Sequence, residues 1–190
     1  MDIILVHGIW DTGRIFSKMA TALEAAGHRC HTPSLVPANA ANGLADLAEK
    51  LQASIEASIQ ADQKFALVGF SMGSVISRYY LQKLEGHRRA SHFFSISGPH
   101  KGTLTAHLYL GKGPRDMRFG SRLLRGLNED LTTLSEIELH TYRTPFDLMI
   151  LPSRSSVLSG ASNHTAHAKF HHLMVSQSEI HEHIIQTLQA

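Results

Sequence analysis

The sequence predicts an α/β fold built on a mainly parallel six-stranded sheet with helices on both faces. Three observations predict it. Apolar, β-branched-rich runs alternate with segments of helical periodicity along the chain. No internal repeat or low-complexity linker interrupts that alternation. One strand-like run, Phe65-Ala66-Leu67-Val68, enters Gly69-Phe70-Ser71-Met72-Gly73 and is followed at once by a helical pattern through Leu84. Parallel strands need crossover helices, and those helices cover both faces of the sheet.

The elements follow in order. Strands are expected at 2–6, where Ile3-Ile4-Leu5-Val6 is continuously apolar, and at 28–32, 65–70, 92–97 and 136–142, with a last strand in either 146–151 or 164–170. Helices are expected at 15–27, 44–60, 72–86, 103–110, 120–133 and 176–189. Leu44, Leu47, Ala48, Leu51, Ile55 and Ile59 recur at spacings of three and four, which gives one apolar helix face; Ile180, Ile184, Ile185 and Leu188 repeat the pattern near the end. Gly27, Gly86 and the pair Pro33/Pro37 punctuate the boundaries. The least regular stretch is 98–120, with five glycines and two prolines, read either as a surface excursion or as a ligand-site loop at the carboxyl edge of the sheet. With 190 residues, 43% of them hydrophobic, the chain is expected to form one domain over 1–190.

Composition narrows the function. A formal net charge of +2 does not predict nucleic-acid binding, and the dense basic run His87-Arg88-Arg89 falls at an expected helix end, where cations complement the dipole. Cys30 is the only cysteine, so an intrachain disulfide is excluded; it reads as a buried core thiol. No run is long enough to span a bilayer, and no signal-like N-terminal region is visible, so a cytoplasmic protein is expected. His164, His167 and His171 have helical metal-ligand spacing, and His181-x-His183 is a second pair. Gly160, Ser162 and Asn163 argue against a helix there, so neither a metal nor another cofactor is expected.

A glycine-flanked serine at a strand-to-helix junction is the arrangement of a nucleophile elbow. The turn holds Ser71 in a strained conformation, and side chains at Gly69 or Gly73 would collide with the neighbouring strand and helix. A serine hydroxyl needs a base, and the base needs an acid to orient it. On such an elbow the chain order is serine, acid, histidine. Asp147, in a loop past the strand at 136–142, is the candidate acid, ahead of Glu129, Asp130, Glu136 and Glu138. His172, just before the terminal helix, is the candidate base, with His171 the adjacent alternative; His181 and His183 fall on the helix, where exposed histidines are unremarkable. The oxyanion hole would use the N–H of Met72 and that of Ile9 in His7-Gly8-Ile9-Trp10, with His7 a structural residue of that loop.

These segments make the chain resemble the α/β-hydrolases, in particular the small lidless bacterial lipases and esterases. Ile4-Leu5-Val6-His7-Gly8-Ile9 resembles their first core strand and oxyanion loop, and Val68-Gly69-Phe70-Ser71-Met72-Gly73 their elbow. Ser97-Gly98-Pro99-His100-Lys101-Gly102-Thr103 is similar to the loop usually written Thr-Pro-His-x-Gly-Ser, and Asp116 to Ser121 with Leu127-Asn128 to a further shared segment. Phe146-Asp147-Leu148-Met149-Ile150, with Pro152 and Ser155-Ser156, resembles the acid loop, and His172-Leu173 the base loop, although His171 stands where those proteins usually have Gly. The resemblance implies a minimal α/β-hydrolase fold with strand order 2-1-3-4-5-6 and no large lid in 33–44. It also implies a Ser71–Asp147–His172 triad with Ile9 and Met72 as oxyanion donors.

The expected activity is hydrolysis of carboxylic esters through an acyl-enzyme on Ser71, with lipid-like or short-to-medium acyl esters as small-molecule substrates. Trp10, Leu104, Met117 and Leu173 are the expected substrate-binding residues. An acyltransferase or thioesterase on the same fold is the alternative, and a non-catalytic binding protein a further one.

Overall fold

The computed structural model describes residues 1–190. Its elements are β1 (Asp2–Val6), α1 (Ser17–Ala25), β2 (Arg29–His31), α2 (Leu44–Ser58), β3 (Phe65–Phe70), α3 (Met72–Lys83), β4 (Ala90–Ile96), α4 (Lys112–Asp116), α5 (Arg122–Asn128), β5 (Glu138–Arg143), β6 (Ser162–Thr165) and α6 (Ser178–Gln189). Every strand pairing is parallel, and the order is β2-β1-β3-β4-β5-β6, as the resemblance implied.

Strand alternation divides the core in two. Ile4, Val6, Phe65, Leu67 and Phe93 point to one face and pack against α2, α3 and α5. Ile3, Leu5, Val68, Phe70, Phe94 and Ile96 point to the other, under α1 and α6. Both faces are therefore apolar, which is why the central strands read as continuous rather than alternating hydrophobic runs.

The elements differ from expectation mainly beyond β4. The segment 103–110 contains only a 3₁₀ turn, Leu104–His107, and the helix expected over 120–133 shortens to α5, capped by Ser121, whose hydroxyl accepts the Leu124 N–H at 3.1 Å. The last strand lies at Ser162–Thr165 rather than 146–151. Residues 146–151 cannot join the ladder because the Asp147 carboxylate takes the N–H groups of Met149 and Ile150, both at 2.9 Å. Cys30 is only half-buried, since β2 is an edge strand, and burial pushes its thiol up to about 12. No helix is long and apolar enough to cross a membrane.

The excursion at 98–120 is tied down at both ends. Asp116 Oδ2 accepts the Leu44 N–H at 2.9 Å, so a residue distant in sequence caps the start of α2. The buried Arg78 of α3 donates to Asn128 Oδ1 at 3.0 Å and Leu127 O at 2.7 Å, and Asn128 donates to His100 O at 2.9 Å. The loop after β4 is thereby fixed to the helix that follows the elbow.

Glycine packing gives a contrast that can be measured. A Cβ at Gly73 would lie 2.0 Å from the Val6 carbonyl oxygen and 2.6 Å from that of His7, against backbone that cannot yield. Gly126, in α5, has open space around its Cβ position. Gly73→Ala is expected to lose about 3 kcal/mol or more in urea unfolding, whereas Gly126→Ala gains about 0.5–1 kcal/mol.

Candidate active site

Ser71 lies between β3 and α3 at φ 53°, ψ −121°. A non-glycine residue there costs of the order of 1–3 kcal/mol and persists only where its surroundings enforce it. Two glycines do so: a Cβ at Gly69 would sit 2.6 Å from Ser74 Cα, and Gly73 is pressed on β1 as described. The reason given from sequence for both glycines thus has its steric counterpart.

The loop after β1 passes beside the serine. A Cβ on Gly8 would lie 3.2 Å from Ser71 Cβ. His7, fully buried, holds this loop: its Nε2 accepts the Leu35 N–H at 2.8 Å, so Nδ1 carries the proton and donates to Gly8 O at 2.8 Å. Trp10 adopts φ 62°, and the tight turn lets Asp11 N–H reach Gly8 O at 3.4 Å while Trp10 N–H donates to Ala38 O. The Ile9 N–H donates to no protein acceptor. The Met72 N–H, at the first position of α3, has no acceptor within its helix. Neither N–H is thus taken up by a protein acceptor, and Ile9 borders the same cavity as Ser71.

The residue that meets Asp147 is His171, not His172. Asp147 Oδ2 accepts from His171 Nδ1 at 2.8 Å, and the His171 ring lies 4.8 Å from that of Phe70, the residue preceding Ser71. His172 is exposed and stacks on Phe170, 6.1 Å between centroids. The histidine paired with Asp147 is thus His171, the adjacent alternative, where His172 was expected. Phe170 ends an extended segment and a 3₁₀ turn begins at His171, so its first residue faces the sheet edge and the next faces out. His171 bonds Asp147 and makes no hydrogen bond to the Ser71 hydroxyl; hydrogen bonds of this kind are commonly long outside the Michaelis complex.

Burial alone would raise the Asp147 carboxyl. The hydrogen bond and charge of His171, with the N–H groups of Ile150 and Met149, outweigh it and hold the group below the usual aspartate range. Asp11 behaves oppositely: burial raises it, against the influence of His7, His171 and His172. Its Oδ2 would lie 3.0 Å from a Cβ on Gly8, which puts a second carboxyl at the site that the sequence reading did not single out. The signal available was its place directly after the oxyanion loop.

A cavity of about 30 Å³ adjoins Ser71, lined by Ile9, Trp10, Met117, Met149, Ile150 and Tyr109 among others. Trp10 and Met117 line it as expected. Leu104 is exposed and Leu173 packs against the core under α6, so neither reaches it. The missed lining comes from 103–109 and 149–150. Thr103 Oγ1 donates to Met149 O and accepts from Leu151 N–H, each at 2.9 Å, so the excursion after β4 is laced to the acid loop and forms a pocket wall.

The other histidines are placed differently from expectation. His181 is buried and bonded to Val175 O at 2.8 Å, and His183 is half-buried rather than exposed. His100 is fully enclosed and held far below the usual imidazole range by burial, then by the charges of Arg78 and Lys101; it bonds Ser95 Oγ at 2.8 Å and does not line the cavity.

A family model described as palmitoyl protein thioesterase matches residues 2–135. No curated protein sequence matches the chain. Among solved structures, the mature lipase BlEst2 of Bacillus licheniformis is 15% identical with a TM-score of 0.77, over 98% of this chain and 91% of its own. Lipase B of Aspergillus fumigatus is 18% identical with a TM-score of 0.85, covering all of this chain and 52% of its own. A pyrethroid hydrolase from Sphingobium faniae JZ-2 is 17% identical with a TM-score of 0.70, over 100% of this chain and 98% of its own. The fold is that of the α/β-hydrolases, of the lipase, esterase and thioesterase type.

The depressed Asp147 has a consequence for stability. Its contribution is complete above the unfolded carboxyl value near pH 4 and is lost as pH falls through the lower folded value. The melting-temperature gap between wild type and Asp147→Asn should therefore be constant from pH 5 to 7 and shrink on acidification below about pH 4.

Proposed function

Because the chain belongs to the palmitoyl protein thioesterase family, we propose that it is a serine hydrolase of acyl esters acting through Ser71, His171 and Asp147. The observation that carries this reading is the Asp147–His171 hydrogen bond beside the strained Ser71. With Nδ1 engaged by the carboxylate, Nε2 of His171 is the nitrogen left to take a proton. Ser71 Oγ attacks the acyl carbon as His171 accepts the hydroxyl proton, forming the new C–O bond. The oxygen that gains charge rests on the N–H groups of Ile9 and Met72. Collapse breaks the bond to the leaving group, which takes the proton from His171. Water, deprotonated by the same imidazole, then releases the acid and restores Ser71. Asp147 stays ionised throughout and stabilises the imidazolium.

The apolar cavity supports an acyl chain as the recognised group, and carboxylic esters are the substrates we assign first. Thioesters are a second reading, favoured by the family match. Both share the acyl-enzyme and differ only in the leaving atom. At about 30 Å³ the cavity holds roughly one water. Acyl entry therefore requires the flexible side chains of Met117 and Met149 to move.

A fluorophosphonate probe should label wild-type protein at Ser71 and leave a folded Ser71→Ala variant unlabelled. Turnover of p-nitrophenyl esters should fall about 10⁴–10⁶-fold in Ser71→Ala and comparably in His171→Ala, while His172→Ala stays within a few-fold of wild type. A His172→Ala loss as deep as that of His171→Ala would overturn the assignment of the base. Met149→Ala should shift preference toward longer acyl chains, read as the ratio of kcat/KM for octanoyl over butyryl esters, and parallel oxo- and thioester panels separate the two substrate readings.

A further inference from the structure

Three histidines that the acyl-transfer site does not use converge elsewhere. His140 of β5, His164 of β6 and His183 of α6 each present a ring nitrogen, and these atoms all lie within 4.8 Å of one another. None of the three lines the Ser71 cavity. We propose that His140, His164 and His183 form a binding site for a divalent transition-metal ion of the zinc, cobalt, nickel or copper class.

The distances fit that chemistry. A tetrahedral ion with metal–nitrogen bonds of about 2.0–2.1 Å sets its ligand nitrogens roughly 3.4 Å apart. His140 Nδ1 and His164 Nε2 are already 3.2 Å apart. The widest gap in the group, 4.8 Å, exceeds the required edge by roughly 1.4 Å, which a modest side-chain rotation closes. Imidazole nitrogen is the donor these ions share, and magnesium or calcium would prefer oxygen.

The surrounding groups orient two of the rings. His140 Nε2 is 3.0 Å from Glu138 Oε1, the imidazole–carboxylate pairing that directs the other ring nitrogen toward a metal. His183 Nδ1 is 2.7 Å from the Tyr142 hydroxyl. The backbone supplies the convergence: β5 and β6 are paired in register, with Tyr142 opposite His164, and α6 lays His183 across them. A cavity of about 160 Å³, bordered by His164, Thr165, Glu179 and His183, opens beside the rings and leaves room for a water as fourth ligand. The set differs from the helical spacing His164, His167 and His171 that the sequence raises: His167 is exposed, and His171 belongs to Asp147. The rival arrangement is a purely structural stack, since the His140 ring also lies on Phe94, 5.3 Å between centroids. A stack with the His140–His164 hydrogen bond accounts for those two rings but not for the approach of a His183 ring nitrogen to both.

The test uses the full chain and the ion alone. Titration with Co²⁺ should give the intense visible absorption of a tetrahedral complex, saturating at one ion per chain, and Zn²⁺ should displace it and raise the melting temperature. His164→Gln and His183→Gln, singly and together, should abolish the absorption and weaken Zn²⁺ binding at least about 100-fold. The double variant of the exposed pair, His167→Gln with His172→Gln, should retain both. Absence of the Co²⁺ band in folded wild-type protein at saturating metal overturns the proposal. Equal binding by the cluster variants and the exposed-pair variant also overturns it. The wild-type spectrum decides even where a cluster variant does not fold.

Discussion

The contact on which the rest of the site depends is the approach of Gly73 to the end of β1. It leaves no room for a side chain between the first turn of α3 and the Val6 and His7 carbonyls. Once α3 is pressed there, the chain leaving β3 has only a sharp turn available, and Ser71 must take the positive φ that lifts it out of the sheet. The same approach brings the loop after β1 alongside, so that Gly8 is nearly in contact with the serine side chain. One steric constraint thus sets both the strain at Ser71 and the nearness of the loop after β1.

Asp147 links fold and site in a comparable way. One carboxylate oxygen receives two backbone N–H groups and makes its own loop, while the other receives His171. The carboxylate that orders the loop is therefore also the one that holds the His171 ring, and losing the turn would release the imidazole. Burial works against the charge, but three donors overcome it, so the ionised state is the one the fold selects.

Much of this was legible in the sequence because it rests on local sterics or on period. The five strands through β5, the faces of α2 and α6, the sharp turn at Ser71 and the glycine loop after β1 all declare themselves within a few residues. Asp147 was legible because chain order and a loop position leave few rivals. The choice between His171 and His172 was not, because adjacent residues in a tight turn face nearly opposite ways. Which of them turns inward is decided by Phe70 and Asp147, both distant in sequence. Leu173 and Leu104 were misread for the same reason: an apolar side chain near the site in sequence can serve the core, as Leu173 does, or face solvent, as Leu104 does. The pocket wall from Thr103 to Tyr109 was hidden because its form depends on hydrogen bonds to the acid loop.

Those hydrogen bonds also decide which parts of the pocket can yield. Its floor is the turn at Ser71 and the loop after β1, held by His7 and by glycines pressed on backbone. Its far wall is laced through Thr103 to the backbone of Met149 and Leu151, so the main chain there is held while the Met149 side chain is not. At the mouth, Trp10 and Tyr109 meet edge to face, 4.8 Å between centroids, and Trp10 is half exposed. An edge contact of that kind contributes only about 0.5–1.5 kcal/mol. The parts of the wall not held by hydrogen bonds are therefore thioether and aromatic side chains.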